Sequence, residues 1–389
     1  MSQRVVGSRI ADMTTGWVTV EECDIKDFAA LVETEVDQAD YPFAAAVVHG
    51  AIVYDSAALR QQLVGGNRLS VMSEIARALL DGPGVVAFRG AFDPAIVAQA
   101  TATFNELIEY EKEAHIGGGD HFAKPGANDR VWNALEKFAL RDPATFVDYY
   151  ANDILALVSH AWLGTGYQVT SQINVVNPGG EAQEPHRDYH LGFMTEEQAE
   201  RYPAHVHRLS PALTLQGAVA HCDMPLESGP TRYLPHSQKY ESGYVAWRRP
   251  DFKAYFAQHH MQLELQAGDA VFFNPALFHA AGSNVTPDVR RMANLLQVSS
   301  AFGRAMEDIG RRAMIAAVYP WLLQRQERGV DAGLLRHAIA ATAEGYAFPG
   351  DLDQDRPLDG LAPESDAVIV QRALAEKWPA EQLAETLTT

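Results

Sequence analysis

The chain has 389 residues, of which 47% are hydrophobic and 21% charged, the composition of a globular protein with a large core. Its formal net charge of −19 disfavours nucleic acid as a partner, and no apolar run is long enough to predict a transmembrane helix. Two cysteines, and no apolar segment after the first ten residues, favour a reduced, cytoplasmic protein without a secretory signal.

The first part of the chain predicts short strands and helices. Asp93 followed by Pro94 marks a helix start, because aspartate caps free N–H groups and proline needs no hydrogen bond in the first turn. Residues 115–130 form a glycine-rich loop of a length that is often functional, although a plain surface loop explains it equally well. The other predicted elements are a hairpin, a helix, a strand and a long helix at Ala44–Tyr54, Arg68–Leu80, Val85–Arg89 and Thr145–Leu163.

From Val169 the pattern changes to short apolar or alternating runs separated by turn residues, which indicates a β-sandwich or barrel. Helices return after Ser300, and Pro320 is expected to kink or break the first of them. The predicted strands are Val169–Val176, Ala212–Ala220, Met261–Leu265, Ala270–Phe273 and Asn294–Ser299. The predicted C-terminal helices are Gly303–Arg328, Asp331–Ala347 and Glu364–Trp378.

We expect a single catalytic domain over residues 1–389. It would consist of an N-terminal extension (1–81), a β core with the helices that precede it (82–300) and a C-terminal helical extension (301–389). No internal repeat or low-complexity tract divides the sequence further.

The segment Glu184–His190 contains the pair His186 and Asp188. In an extended segment, residues two apart point to the same side, so an imidazole and a carboxylate converge on one point. His279 follows the apolar strand at 270–273 and can supply a third ligand. Two histidines and one carboxylate are typical of Fe(II) sites with open coordination positions, although Zn²⁺ accepts the same ligands. An H-x-D pair alone is common by chance, so the prediction depends on the third ligand.

Arg290 lies 11 residues after His279, beyond a segment that reads as a turn. A guanidinium binds a carboxylate through two parallel hydrogen bonds and stays charged. Arg290 therefore suits the distal carboxylate of 2-oxoglutarate, whereas Arg291 beside it is expected to be solvated or ion-paired. The pair His205 and His207 is interpreted as a surface segment.

Several motifs, in the expected order, resemble the phytanoyl-CoA dioxygenase family of Fe(II)/2-oxoglutarate-dependent oxygenases over about residues 82–300. The resemblance implies a mainly β core, a double-stranded β-helix of the jelly-roll or cupin type, with flanking helices on both sequence sides. It also implies Fe(II) held by His186, Asp188 and His279, 2-oxoglutarate bound at Arg290, and O₂ as a cosubstrate. The motifs are Gly84–Pro94, Ile173–Gly179, Glu227–Ser237, Gln266–Asp269 and His279–Arg290.

Three polar residues are candidate contacts of the cosubstrate. Gln172 and Asn174 share one face of the strand before the H-x-D pair, and they are similar to family positions that contact 2-oxoglutarate. Gln216 lies inside an apolar strand, where burial of its amide requires a partner. Ordinary cross-strand hydrogen bonding is the alternative role for all three.

The sequence departs from the family pattern at two places. His236-Ser237-Gln238 replaces the usual Gly-Ser-His, and Ala281 stands where a hydroxyl residue often follows the distal histidine. One cosubstrate contact is therefore expected to be missing or replaced. Asp188 is present where related halogenases carry Ala or Gly, which favours hydroxylation over halogenation.

These features together predict a dioxygenase that hydroxylates an aliphatic C–H of a small or medium polar metabolite and releases succinate and CO₂. The alternatives are a cupin-like Zn²⁺ or Mn²⁺ hydrolase or isomerase, and a non-catalytic metal- or ligand-binding protein on the same fold. The expected partner is a small molecule, with no nucleic acid or membrane, and a homodimer is compatible with the sequence. The candidate substrate residues are His190, Tyr189, His121, Lys124, Arg130 and Trp132.

Overall fold

The structure, a computed structural model, describes residues 16–116, 127–192, 194–347 and 363–388. Within these ranges the chain forms ten strands and fifteen α-helices. The strands are β1 (Ala46–Val48), β2 (Ala51–Asp55), β3 (Val85–Arg89), β4 (Asn128–Val131), β5 (Gln168–Val176), β6 (Thr214–Ala220), β7 (Arg232–Leu234), β8 (Ala270–Phe273), β9 (Phe278–Ala280) and β10 (Arg291–Ser299).

The helices are α1 (Ile25–Val32), α2 (Ser56–Val64), α3 (Arg68–Leu80), α4 (Pro94–Glu113), α5 (Ala134–Arg141), α6 (Pro143–Tyr150), α7 (Asp153–Leu163), α8 (Glu196–Ala199), α9 (Ala204–Leu209), α10 (Gly243–Ala246), α11 (Pro250–His259), α12 (Arg311–Glu327), α13 (Ala332–Thr342), α14 (Asp366–Glu376) and α15 (Ala380–Thr388). Short 3-10 helices lie at Gln38–Asp40, Ser210–Leu213, Leu226–Ser228 and Ser237–Lys239.

Eight strands form one sheet in the order β1-β2-β3-β8-β6-β10-β5-β4, and β7 pairs with β9 in a second, two-stranded sheet. All pairings are antiparallel except that between β2 and β3. The fold is therefore the predicted double-stranded β-helix core with flanking helices. Residues of both sheets line one cavity of about 490 Å³.

The central strands of the large sheet present two different faces, because successive side chains of a strand alternate. Residue pairs in register, such as Asn174 with Ala293 and Gln216 with Gln297, face the cavity together. The residues between them face the helices on the opposite side. There the apolar side chains of the sheet join a buried core with α3, α4, α6, α7, α12 and α13.

Several predicted elements begin and end where the sequence placed them. The helix Arg68–Leu80 and the strands Val85–Arg89 and Ala270–Phe273 match the structure at both ends. The helix start at Asp93 is also confirmed, since its carboxylate accepts a hydrogen bond from the N–H of Ala95. Local periodicity and capping determine these elements, so the sequence alone reveals them.

Three predicted elements differ in the structure. The long helix over 145–163 is two helices, because Asn152 caps the second one through the N–H of Leu155. Pro320 lies inside α12 without ending it, and buried residues on both sides of it pack in the same core. The segment 261–265 forms isolated bridges rather than a strand.

The division into residues 1–81, 82–300 and 301–389 stays a prediction. Among the described residues, no helix is both long and apolar enough to cross a membrane.

Candidate metal centre and its cavity

The structure brings His186, Asp188 and His279 together at one point. The backbone of His186 pairs with that of His279 through two hydrogen bonds of 3.0 and 3.1 Å. The N–H of Asp188 donates to the carbonyl oxygen of Pro275 at 3.1 Å. The H-x-D segment is therefore fixed beside β9, and one potential ligand atom from each of the three residues lies within 4.8 Å of the others.

Each histidine ring is oriented by a hydrogen bond from Nδ1 to the backbone carbonyl two residues earlier. Nδ1 of His186 lies 2.9 Å from the carbonyl oxygen of Glu184, and Nδ1 of His279 lies 2.9 Å from that of Leu277. A carbonyl can only accept, so the proton sits on Nδ1 and Nε2 carries the lone pair that can bind a cation. The two Nε2 atoms lie 3.8 and 3.7 Å from the carboxylate oxygens of Asp188.

The carboxylate of Asp188 is held in the ionised form. Burial opposes ionisation, but the two neighbouring imidazoles and the hydrogen bond from Gln216 outweigh it and lower the pKa of Asp188. The side-chain amide of Gln216 donates this hydrogen bond to Oδ2 of Asp188. Two imidazoles and one carboxylate that face one point fit a divalent metal ion with open coordination positions.

Of the two adjacent arginines, Arg291 lines the cavity and Arg290 does not, so the prediction of Arg290 is corrected. Arg290 is 48% exposed and faces outward to Asp129, with its Nη2 atom 3.4 Å from Oδ2. Arg291 is buried on the cavity side, and burial lowers its pKa to about 10. Adjacent strand residues point to opposite faces, so an error of one residue in register exchanges the two side chains.

Arg291 has no carboxylate partner among the residues that the structure describes. Its contact with the protein is a 3.4 Å hydrogen bond to the carbonyl oxygen of Gly282. The expectation that Arg291 is solvated or ion-paired is therefore wrong. A buried guanidinium without a counter-charge is costly unless a ligand supplies an anionic group.

Hydroxyl groups lie near this arginine in the same cavity. Thr231 and Tyr233 line it together with Ala281. In the register of β7 and β9, Thr231 and Ala281 are neighbours just beyond the paired residues. Ala281 lacks the hydroxyl that the family often has at this position, and Thr231 places a hydroxyl directly opposite it.

Gln172, Asn174 and Gln216 also line the cavity, together with Gln297, which the sequence reasoning missed. Within the described part of the chain, one amide oxygen each of Asn174, Gln216 and Gln297 is buried without a hydrogen-bond partner. Gln172 is engaged: Arg130 donates to its oxygen, and its nitrogen donates to Glu307 at 3.2 Å. Side chains alternate between the two faces of a strand, so Gln297 lies on the same face of β10 as Arg291, and this spacing could have predicted it.

The structure places some of the candidate substrate residues in the cavity and others outside it. Tyr189, Arg130 and Trp132 line the cavity. His190 does not, because its Nδ1 lies 2.7 Å from the hydroxyl of Thr214 and the ring is buried outside the cavity. The prediction that His190 contacts substrate is therefore corrected. His121 and Lys124 lie outside the described residues, whereas Trp247 and Met306 line the cavity without having been predicted.

The interpretation of His205 and His207 as a surface segment is wrong for one of the two. His205 is exposed, but His207 is buried and stacks on Tyr244 with the ring centroids 5.6 Å apart. Its Nε2 lies 3.1 Å from the carbonyl oxygen of Tyr202. The segment folds as the short helix α9, so the two side chains do not face the same way.

Comparison with known proteins gives the following similarities. The dioxygenase trt7 of Aspergillus terreus (strain NIH 2624 / FGSC A1156) is 32% identical over 114 residues, which is 29% of this chain and 34% of that protein. This chain therefore spans about a third of the length of that relative.

Three solved structures are also similar to part of this chain. The non-heme alpha ketoglutarate dependent carbocyclase SnoK from nogalamycin biosynthesis has 20% identity and a TM-score of 0.42, covering 59% of this chain and 83% of its own. AviO1 from Streptomyces viridochromogenes Tue57 has 17% identity and a TM-score of 0.43, covering 59% and 95%. HygX from Streptomyces hygroscopicus, solved with nickel and 2-oxoglutarate, has 14% identity and a TM-score of 0.36, covering 57% and 85%.

The protein family described as phytanoyl-CoA dioxygenase (PhyH) matches residues 80–292, more than half of the chain. The matched region contains the whole H-x-D segment, His279 and Arg291. The chain belongs to this family of Fe(II)/2-oxoglutarate-dependent oxygenases.

Proposed function

We propose that this chain hydroxylates an aliphatic C–H bond of a small or medium polar metabolite, with Fe(II), 2-oxoglutarate and O₂, and releases succinate and CO₂. The observation that carries the proposal is that the His186–Asp188–His279 group and the buried cation of Arg291 lie in one cavity. A metal site alone would also suit a Zn²⁺ or Mn²⁺ enzyme. A buried guanidinium beside it suits a cosubstrate with a second carboxylate.

Each of these residues has a separate role in the proposal. His186 and His279 present Nε2 to the metal, and Asp188 presents one carboxylate oxygen while Gln216 holds the other. Arg291 binds the distal carboxylate of 2-oxoglutarate. When bound, iron with 2-oxoglutarate activates O₂ and supplies the oxidant that attacks the substrate C–H bond.

The region around Arg130 is the proposed substrate end of the cavity. The guanidinium of Arg130 lies over the ring of Trp132, 4.4 Å from its centroid, which restricts its orientation. Gln172 accepts a hydrogen bond from Arg130 and donates one to Glu307, which also accepts from the backbone N–H of Asn133. These polar groups beside an otherwise apolar wall support a substrate that combines a hydrocarbon part with a hydrogen-bonding group.

The net charge of −19 supports a small molecule, rather than nucleic acid, as the partner. A cytoplasmic location belongs to the same proposal.

Succinate release tests the cosubstrate part of the proposal. The purified chain, given Fe(II), ascorbate and 2-oxoglutarate in air with a panel of candidate metabolites, is expected to form succinate. Zn²⁺ in place of Fe(II) is expected to give none, which separates this function from that of a Zn²⁺ hydrolase or isomerase. The absence of succinate, together with no visible charge-transfer band when 2-oxoglutarate is added anaerobically to the Fe(II)-loaded chain, would contradict it.

The type of oxidation needs a second measurement. With a metabolite that stimulates succinate formation, hydroxylation is expected to add one oxygen atom derived from isotopically labelled O₂. A product with no added oxygen, such as an epimer, an alkene or a ring-closed compound, would reject hydroxylation while keeping the oxygenase.

A further inference from the structure

Arg187 stands between the two ligands of the H-x-D segment and is almost completely buried, with 4% of its surface exposed. It is not among the residues that line the cavity. Its Nη2 atom donates to the carbonyl oxygens of Ser237 and Tyr240, the latter at 2.8 Å. Its guanidinium lies 5.2 Å from the ring centroids of both Tyr244 and Phe278. The side chain is therefore directed into the protein, away from the metal centre.

The environment of Arg187 contains no counter-charge. Across the described ranges, no carboxylate forms an ion pair with it, and its Nε atom has no hydrogen-bond partner. Burial accordingly lowers its pKa to about 10. A buried cation held only by carbonyl oxygens and aromatic rings contributes little to stability compared with an apolar residue of similar size.

The contacts of Arg187 lead to both ligand-bearing segments. The hydroxyl of Tyr244 donates to the carbonyl oxygen of Asp188 at 3.2 Å. The hydroxyl of Ser237 accepts from the N–H of Phe278 at 2.8 Å, and Phe278 directly precedes His279. One guanidinium is thus connected through Tyr244 to Asp188 and through Ser237 and Phe278 to His279.

The backbone around Arg187 leaves space for this one side chain. A Cβ atom placed on Gly243 would lie 2.0 Å from the Cζ atom of Arg187. This position therefore accepts only glycine while the guanidinium keeps its place. The close approach shows that α10 packs directly against the guanidinium at Gly243.

We propose that Arg187 is a positioning residue that fixes Asp188 relative to His279, so that the affinity and geometry of the metal centre depend on it. The inference rests on the proposed metal centre but concerns a residue outside it. Partners that orient metal ligands without touching the metal typically change metal affinity by about 10–100-fold.

Cobalt binding tests the inference without using activity. Co(II) is titrated anaerobically into the full chain, and its visible absorption reports both affinity and coordination geometry. Arg187→Met is expected to bind Co(II) about 10–100-fold more weakly and to change the intensity of the absorption band. Arg187→Lys keeps the charge but loses the planar stacking, so it is expected to fall between Arg187→Met and the wild type.

Arg249→Met is the matched control. Arg249 also donates to backbone carbonyl oxygens, those of Val20 and Cys23, and lies 5.4 Å from the ring centroid of Phe252. Unlike Arg187 it is ion-paired, with its Nη2 atom 2.8 Å from Asp251, and its hydrogen bonds lead to the N-terminal segment rather than to Asp188 or His279, so its variant is expected to keep wild-type Co(II) affinity and absorption. Gly243→Ala displaces the guanidinium without removing it and is expected to resemble Arg187→Met, which keeps the test open if Arg187→Met does not fold.

Two outcomes are distinguishable. Folded Arg187→Met and Gly243→Ala variants with wild-type Co(II) affinity and absorption would overturn the positioning role alone. Equal Co(II) binding by the wild type and Asp188→Asn would overturn the metal centre, and the positioning role with it.

Discussion

Buried polar groups on the two sides of the sheet at β10 differ in whether the protein supplies their hydrogen-bond partners. On the helix-facing side, both ring nitrogens of His221 are hydrogen-bonded, to the hydroxyls of Thr101 and Tyr149 at 2.8 and 2.9 Å. Asn294 of β10 donates to the hydroxyls of Tyr149 and Tyr150 at 3.2 and 3.3 Å, although its Oδ1 has no partner among the described residues. This side is a connected polar network inside an apolar core.

On the cavity side of the same strand, no carboxylate among the described residues pairs with Arg291, and the amide oxygen of Gln297 has no partner among them. A buried polar group without a partner costs about 1–3 kcal/mol. On the helix-facing side the protein itself supplies most of the partners that avoid this cost, whereas on the cavity side the partners have to come from whatever fills the cavity. The difference indicates that the helix-facing polar groups serve stability and that the cavity-facing groups are arranged for a ligand.

Loss of a metal ligand is expected to have the largest effect on the cavity side. Asp188→Asn removes the only charge of the His–Asp–His group, so we expect metal affinity to fall by more than about 100-fold and succinate formation to be abolished. Co(II) absorption and succinate release measure the two effects. Asp129→Asn, a change on the outward side near Arg290, should leave both at wild-type values. Retention of metal affinity in Asp188→Asn would remove the basis for the comparison.

The helix-facing network is expected to make stability depend on pH. Burial lowers the pKa of His221 from 6.5 to about 3, so the unfolded chain binds this proton more readily than the folded one. Stability from this residue is therefore complete above pH 6.5 and is lost as the pH falls towards 3, by up to roughly 5 kcal/mol. Urea unfolding of the wild type and His221→Asn across this pH range measures this contribution to the free energy of unfolding. If the free energy of unfolding depends on pH in the same way in both proteins, His221 contributes nothing.

Matched substitutions on β10 compare the two faces directly. Asn294→Leu is expected to destabilise the fold by about 1–3 kcal/mol, because it removes the donor shared by two buried tyrosine hydroxyls. Gln297→Leu should change stability by no more than about 0.5 kcal/mol, because it removes an amide whose oxygen is already unpartnered. Urea unfolding gives both values. A larger loss for Gln297→Leu would reverse the assignment of the faces.

The sequence could predict what depends on local pattern. The helix Arg68–Leu80 follows from apolar spacing, and the His186–Asp188 pair follows from the two-residue period of extended backbone. The prediction that His190 contacts substrate was wrong for a local reason. A turn, closed by a hydrogen bond from the N–H of Gly192 to the carbonyl oxygen of Tyr189, ends the extended segment, so the alternation of side chains does not continue to His190.

Features that depend on how distant segments meet were not predictable. The choice between Arg290 and Arg291 depends on where β10 begins after the irregular segment from position 281, and no periodicity fixes that register. Trp247 and Met306 reach the cavity from segments outside the main sheet. The role proposed for Arg187 depends on Ser237, Tyr244 and Phe278, which are about 50 to 90 residues away in the sequence.

Binding of 2-oxoglutarate to the two arginine variants tests the cavity assignment most directly. Anaerobic titration of the Fe(II)-loaded chain gives the dissociation constant through the charge-transfer band. Removing one partner of a buried, hydrogen-bonded charge pair costs about 2–5 kcal/mol of binding free energy. Arg291→Gln is therefore expected to raise the dissociation constant of 2-oxoglutarate by about 30-fold or more. Arg290→Gln removes an exposed, outward-facing charge and should change the constant by less than about threefold. Weakened binding in Arg290→Gln with unchanged binding in Arg291→Gln would contradict the account.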